Sequence, residues 1–110
     1  MKSNKINTAK PIDVSFITVN YNGFDDTCRM IESIREHLRT ISYEIIVVDN
    51  DSITNELSRI TQKYPFIRAV RSQKNLGFAH GYNLGATIAH GKYLFFLNND
   101  TFVKDNSIHY

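Results

Sequence analysis

Apolar residues in this chain fall in short runs, each cut off by amides, carboxylates or glycine. "VSFITV" (14–19) is β-branched and aromatic, ends at "NYNG", and is too short for a helix, which predicts a buried strand. From Phe24 the period changes. Apolar side chains recur at Cys28, Ile31, Ile34 and Leu38, one helical face, and Asp25 and Asp26 lie where carboxylates favour a helix N-terminus. "YEIIVVD" (43–49) predicts a second strand. Ser52 is the expected N-cap of a second helix with apolar positions Ile53, Leu57, Ile60 and Tyr64, stopped by Pro65. "FIRAV" (66–70) predicts a third strand, and "NLGFAHGYNLGATIAHG" (75–91) a loop entering a helix that stops at Gly91. "KYLFFL" (92–97) predicts a fourth strand, the most buriable stretch of the chain, followed at once by Asn98, Asn99 and Asp100.

The order β-α-β-α-β-α-β defines an α/β, Rossmann-like fold with a mostly parallel sheet covered on both faces. One domain over residues 13–110 is expected, with residues 1–12 as a flexible N-terminal arm.

Ligands of open parallel sheets bind beyond the carboxyl ends of the strands. Asn20, Tyr21 and Asn22 follow the first strand, and Asp49, Asn50 and Asp51 follow the second. Arg71, Ser72, Lys74 and Asn75 follow the third, and Asn98, Asn99 and Asp100 the fourth. All four clusters must gather on one rim. Turn and cap chemistry explains Asn50, Asp51 and Ser52 as well as binding does. It explains Asp49 less well, and explains least the three polar residues set directly on the fourth strand. Gly77, Gly81 and Gly85 form a stripe at a spacing of four. Each costs a helix about 1 kcal/mol relative to alanine, so something must approach that backbone closely. Tight packing on the sheet is one candidate. An anion received at a helix start near Asn75–Gly77 is the other.

Composition narrows the function classes. Lys plus Arg exceed Asp plus Glu by only 13 to 11 with no basic block, which gives no footprint for nucleic acid. The lone Cys28 has no partner for an intramolecular disulfide and reads as a packing residue. The opening "MKSNKINTAKPID" lacks the apolar core of a secretory leader, and no run of about 18 apolar residues would span a membrane, so a cytoplasmic chain is expected. "NYNG" stands where a dinucleotide fold would carry G-x-G-x-x-G, and no P-loop motif occurs. The Gly- and Arg-rich loop of sugar nucleotidyltransferases and the acidic residues of a phosphoacceptor receiver domain are likewise absent after the first strand.

"VSFITVNYNG", "EIIVVDNDS", "NLGFAHGYNLG" and "YLFFLNND" together resemble the N-terminal, nucleotide-sugar-binding half of the family 2 glycosyltransferases, which have the GT-A fold; the likeness covers roughly residues 13–104. The wording is most similar to rhamnosyltransferase-like bacterial members. The resemblance implies that Asn20, Tyr21, Asp49 and Asn50 bind the nucleotide, with Tyr21 against the base and Asp49 bonding the base or ribose. It places Asn75, Gly77, Phe78 and Asn83 along the diphosphate and donor sugar. "NND" takes the place of the family's D-x-D motif, with Asn98 and Asn99 beside a metal-binding Asp100. The implied cofactor is Mg²⁺ or Mn²⁺, which neutralises the diphosphate leaving group. The implied partners are a nucleotide-diphosphate sugar and an acceptor glycan or lipid-linked sugar, as in assembly of a bacterial surface polysaccharide.

Two departures from the pattern bear on this. Asn98 replaces the first carboxylate of D-x-D, and Val19 stands where a hydroxyl residue often precedes the motif tyrosine. The resemblance also implies that the catalytic base lies beyond residue 110, since neither Asp105 nor His109 fits the role, so the chain is expected to be truncated and inactive in transfer. The competing expectation is a noncatalytic module in which the fourth strand is a sheet edge that pairs with a second copy or another partner.

Overall fold

The computed structural model describes residues 11–104 and 107–109. Four parallel strands form its sheet: β1 (Val14–Asn20), β2 (Tyr43–Asp49), β3 (Arg68–Arg71) and β4 (Tyr93–Leu97), in the order β3-β2-β1-β4. Helices α1 (Phe24–His37), α2 (Glu56–Lys63) and α3 (Phe78–Thr87) make the crossovers. The Rossmann-like α/β expectation holds, and the switch of strand order lies at β1, between β2 and β4.

Alternation along the strands sorts the core into two layers, because successive side chains point to opposite faces. On one face Phe16, Ile45, Val47 and Leu97 pack with Cys28, Ile31 and Ile34 of α1 and Ile60 of α2. On the other, Ile17, Val19, Ile46 and Val48 pack under α3. That second layer resolves the glycine stripe. A Cβ on Gly81 would lie 2.8 Å from Val19 Cγ2, and one on Gly85 would lie 2.5 Å from Ile17 Cγ2. These two glycines therefore let α3 lie flat on β-branched side chains. Gly77 differs: it has φ +92° and open space where a Cβ would stand. It turns the chain at the start of α3, a conformation that glycine adopts without a steric penalty.

Cys28 is buried in the first layer, as its helical position implied, and that burial pushes its thiol pKa up.

Three expectations are corrected. α2 begins at Glu56 rather than at Ser52, and Ile53 is 83% exposed. The Ser52 hydroxyl donates to Asp49 Oδ1 (2.6 Å) and accepts from Asn22 N (3.0 Å), so it serves the loop instead of capping a helix. The third strand is Arg68–Arg71, displaced from 66–70, because the Tyr64 carbonyl accepts from Ile67 N and continues the turn after α2. Finally β4 is not buried along its length. Tyr93, Leu94, Phe95 and Phe96 are 62, 42, 43 and 47% exposed, and only Leu97 is covered, because strand order sets β4 at the sheet edge.

Beyond β4 the chain forms an antiparallel pair absent from the sequence reading, β5 (Phe102–Lys104) with β6 (Ser107–His109). Val103 is buried in the α1 layer, and its N–H donates to Ser33 Oγ at 3.0 Å. Asp105 lies outside the described residues, as does the first part of the expected N-terminal arm. Ile12, in the arm's last part, accepts a backbone bond from Lys92 N (2.9 Å). No helix among the described residues is long and apolar enough to cross a membrane.

At the amino ends of the strands, Glu44 closes the sheet. Its carboxylate accepts from Ser15 Oγ (2.6 Å), His90 N (2.6 Å) and Arg68 (3.1 Å), and Gly91 N donates to the same Ser15 hydroxyl (2.8 Å). A Cβ on Gly91 would lie 2.5 Å from Ser15 N, so only glycine lets the end of the α3 segment meet β1 this closely.

Candidate functional site

All four strand ends open on the rim opposite Glu44. The parallel register sets Asn20 beside Asp49 and Asp49 beside Arg71, while Thr18, two residues before the end of β1, pairs with Leu97 at the end of β4. Backbone bonds extend this alignment into the loops: Asn50 N donates to Asn20 O, and Ser72 N to Asp49 O, both at 2.8 Å.

The side chains divide into a buried layer and an exposed one. Asn20 and Asp49 are 0 and 1% exposed. Asn20 Nδ2 donates to Asp49 Oδ1 (2.9 Å) and Glu56 Oε1 (2.9 Å), with Ser52 Oγ at 3.3 Å. Thr27 Oγ1 donates to Asn20 Oδ1 at 2.7 Å. Asp49 Oδ2 accepts from Ser52 N at 2.9 Å, so both Asp49 oxygens have partners within the protein. Asp49 and Glu56 are thus two buried carboxylates joined by one neutral carboxamide. Asn50 is also buried; its Nδ2 donates to Asn75 Oδ1 (2.9 Å) and lies 3.4 Å from Gly77 O. Its Oδ1 is buried without a hydrogen-bond partner among the described residues.

Above this layer the rim is open. Tyr21 is 43% and Phe78 64% exposed, and Asn75, Gly77, Asn83, Asn98 and Asp100 also face solvent. Two loop residues hold positive φ, Asn22 at 52° and Asp51 at 65°, a conformation that short amide and acid side chains tolerate. The Asn22 side chain accepts from Ile53 N at 2.9 Å, and Asp51 pairs with Arg71 at 3.0 Å across the ends of β2 and β3. Asn75 Oδ1 also accepts from Gly77 N at 3.2 Å, which fixes the approach to α3. Tyr82 OH donates to Leu97 O (2.8 Å), with Asn98 Oδ1 at 3.4 Å, and so ties α3 to the turn after β4. Asn99 is half-buried, and its Nδ2 reaches Thr27 Oγ1 (3.2 Å) and Gly23 O (3.4 Å) on the first turn of α1.

Among the described residues Asp100 has no hydrogen bond or ion pair, and no three His, Cys, Asp or Glu side chains cluster as a metal cage. Its carboxylate and the exposed Asn98 amide oxygen suit a hard, oxygen-preferring cation. Such an ion, Mg²⁺ above all, commonly takes one or two carboxylates from the protein and the rest of its ligands from phosphate and water. The donor set fits that mode of binding.

Sequence reasoning placed the rim but missed three members of its buried layer, Thr27, Ser52 (expected as a cap) and Glu56. Thr27 did carry a signal, as a hydroxyl in the apolar stripe between Phe24 and Cys28.

A layered parallel sheet with polar strand ends is the architecture of nucleotide-handling α/β folds. Comparison with known proteins makes the class specific: residues 15–110 match the family model "Glycosyl transferase family 2", and the chain belongs to that family. An uncharacterized glycosyltransferase of Haemophilus influenzae is 31% identical over 88 residues, covering 79% of this chain and 29% of the relative. Staphylococcus aureus TarS 1-349, in complex with UDP-GlcNAc, superposes with a TM-score of 0.75 at 21% identity, over 86% of this chain and 28% of that one. The mannosyltransferase PcManGT of Pyrobaculum calidifontis, in complex with GDP-Man and Mn²⁺, gives 0.72 at 22% identity, over 90% of this chain and 30% of that one. At these identities the likeness to solved structures establishes the GT-A fold. The chain spans about three-tenths of the length of these relatives.

Proposed function

We propose that this chain is the donor-binding part of a glycosyltransferase that takes a nucleotide-diphosphate sugar through Mg²⁺ or Mn²⁺. The single observation that carries the reading is the pairing, on one rim, of an unengaged Asp100 carboxylate with an open, glycine-turned approach to α3. Tyr21 offers an exposed ring for the base. The unpartnered Asn50 oxygen, beside Asp49, suits an N–H or O–H of the nucleoside. The Asn75–Gly77 turn, Phe78 and Asn83 flank the path of the diphosphate and sugar, with Asn98 and Asn99 beside the cation. The relatives with UDP-GlcNAc or GDP-Man and Mn²⁺ support this ligand class. We place the base that deprotonates the acceptor outside the described residues, and the protein in the cytoplasm. The acceptor in this reading is a bacterial surface glycan or a lipid-linked sugar, and a rhamnosyltransferase-like subgroup fits the loop wording.

Titration calorimetry with UDP and GDP, each with and without Mn²⁺, tests this. At least one nucleotide is expected to bind, with affinity raised on the order of tenfold by Mn²⁺, about 1.4 kcal/mol, and that increment should vanish in Asp100→Ala. An increment that survives Asp100→Ala, or no binding of either nucleotide, overturns the assignment.

The exposed edge favours a second reading, a noncatalytic oligomerising module. β4 carries no charge, proline or bulge within Tyr93–Leu97, the devices that usually protect an edge. An antiparallel pair with a second copy, centred on Phe95, would continue the sheet and cover these rings. Four partly exposed side chains per copy bury less than about 1,200 Å² in total, the range of weak interfaces. Sedimentation equilibrium is expected to show a concentration-dependent dimer that Phe95→Lys abolishes; a monomer at millimolar concentration rejects it.

A further inference from the structure

Proton bookkeeping along the buried rim fixes the direction of every hydrogen bond in it. Carboxylates only accept, so Asp49 and Glu56 oblige Asn20 to present its NH₂ group to them at 2.9 Å each. The Asn20 carbonyl oxygen must then face Thr27, and the Thr27 hydroxyl must give it its single proton at 2.7 Å. Having donated, Thr27 Oγ1 can only accept from its next neighbour, the Asn99 NH₂ group at 3.2 Å. This turns the nitrogen of Asn99 inward and leaves its amide oxygen as the group available beside Asp100. Gly23 closes the seat. Its carbonyl lies 3.4 Å from the same Asn99 nitrogen, and a Cβ on Gly23 would sit 2.4 Å from that atom. The first turn of α1 is therefore shaped around the Asn98–Asp100 turn.

We propose that Thr27 is a positioning residue that joins this turn to the ends of β1 and β2, so that nucleotide binding at the loops and cation binding at Asp100 are coupled. Asn20 and Thr27 are both 0% exposed, so neither is offered as a ligand for nucleotide or metal. The effect passes through Asn99. The functional half of the inference rests on the donor-site reading above; the hydrogen-bond chain does not.

Thr27→Val keeps the shape and removes the hydroxyl. In calorimetry with UDP and GDP, the Mn²⁺-dependent gain in affinity is expected to fall about fivefold or more, while metal-free affinity stays within about twofold and Thr27→Ser restores the gain. Gly23→Ala should do the same by displacing only the flexible end of Asn99, which keeps the test available should Thr27→Val fail to fold. An equal loss with and without Mn²⁺ would show a structural role and overturn the proposal, as would a fully retained Mn²⁺ gain. The chain of bonds is read separately, by NMR without nucleotide. In the unmodified protein the Asn99 side-chain NH₂ should exchange with solvent more slowly than that of exposed Asn98, and Thr27→Val should shift both the Asn20 and Asn99 side-chain resonances. Equal exchange, or silence at Asn99, overturns the chain itself. Those shifts together with no nucleotide bound by the unmodified protein would reject the donor-site reading and, with it, the coupling.

Discussion

Asn20→Leu is expected to destabilise the domain by about 3–5 kcal/mol, the cost of leaving buried charge without a partner. Leucine keeps the branching of asparagine at Cγ and is somewhat larger, so the substitution leaves no cavity and the loss comes chiefly from the missing donors. Asp49 and Glu56 each lose a donor at 2.9 Å, and the Thr27 hydroxyl loses its acceptor. Asp49 keeps Ser52 N and Ser52 Oγ, which holds the loss below that of a carboxylate stripped of all partners. A hydrogen bond to a charged group contributes about 1.5–3 kcal/mol, and two are removed. Urea denaturation followed by circular dichroism should show a large drop in midpoint with unchanged slope. Asn20→Asp should also destabilise, because it adds a third acceptor where two protons were supplied. A change below about 1 kcal/mol for Asn20→Leu would mean that water replaces the carboxamide and that the rim is not a packed network.

The second large effect lies at the opposite end of the strands. Glu44→Ala is expected to cost about 3–5 kcal/mol, since it strips the partner from Ser15, from His90 N and from Arg68. Burial alone would raise the Glu44 pKa, but the Ser15 hydroxyl, the His90 N–H and the Arg68 guanidinium outweigh it, and the net shift is downward from 4.5. A carboxyl whose folded pKa is depressed gives stability that is complete above its unfolded pKa and is lost as pH falls through the folded value. The contribution is thus intact at neutral pH and disappears below about pH 4.5. Thermal melts from pH 7 down to pH 3 should show unmodified protein and Glu44→Gln converging as acid is added. A gap that stays constant with pH would mean that the charge of Glu44 does not contribute.

The strands and helices were legible because their patterns differ, a short β-branched and aromatic run in "VSFITV" against apolar residues three to four apart from Phe24 to Leu38. The rim was legible because parallel topology sends every strand end the same way. Three features were hidden for physical reasons. The start of α2 depended on where the Ser52 hydroxyl is used, and the partners that capture it, Asp49 and Asn22, come from the ends of two strands. The exposure of β4 depended on sheet order, which local pattern does not encode: "YLFFL" has the same composition at an edge as at a centre. The β5–β6 pair has three residues per strand, too few for a period to register. The glycine stripe was half legible. Its spacing announced a close approach, but only the packing layers separated Gly81 and Gly85, which lie on the sheet, from Gly77, which turns the chain.

Strand order also has a consequence in time. β1 is the first strand to leave the ribosome, and β4, its neighbour on one side, is the last of the four. At synthesis rates of roughly 5–20 residues per second, the stretch from Asn20 to Leu97 takes on the order of 4–15 seconds to emerge. Throughout that interval one edge of β1 lacks its neighbour in the nascent chain, and β1 is the strand from which both faces of the core are built. The domain therefore cannot finish its sheet by adding strands as they arrive. β4 returns to β1 only after β2 and β3 have emerged, and only then can Asn99 meet the first turn of α1.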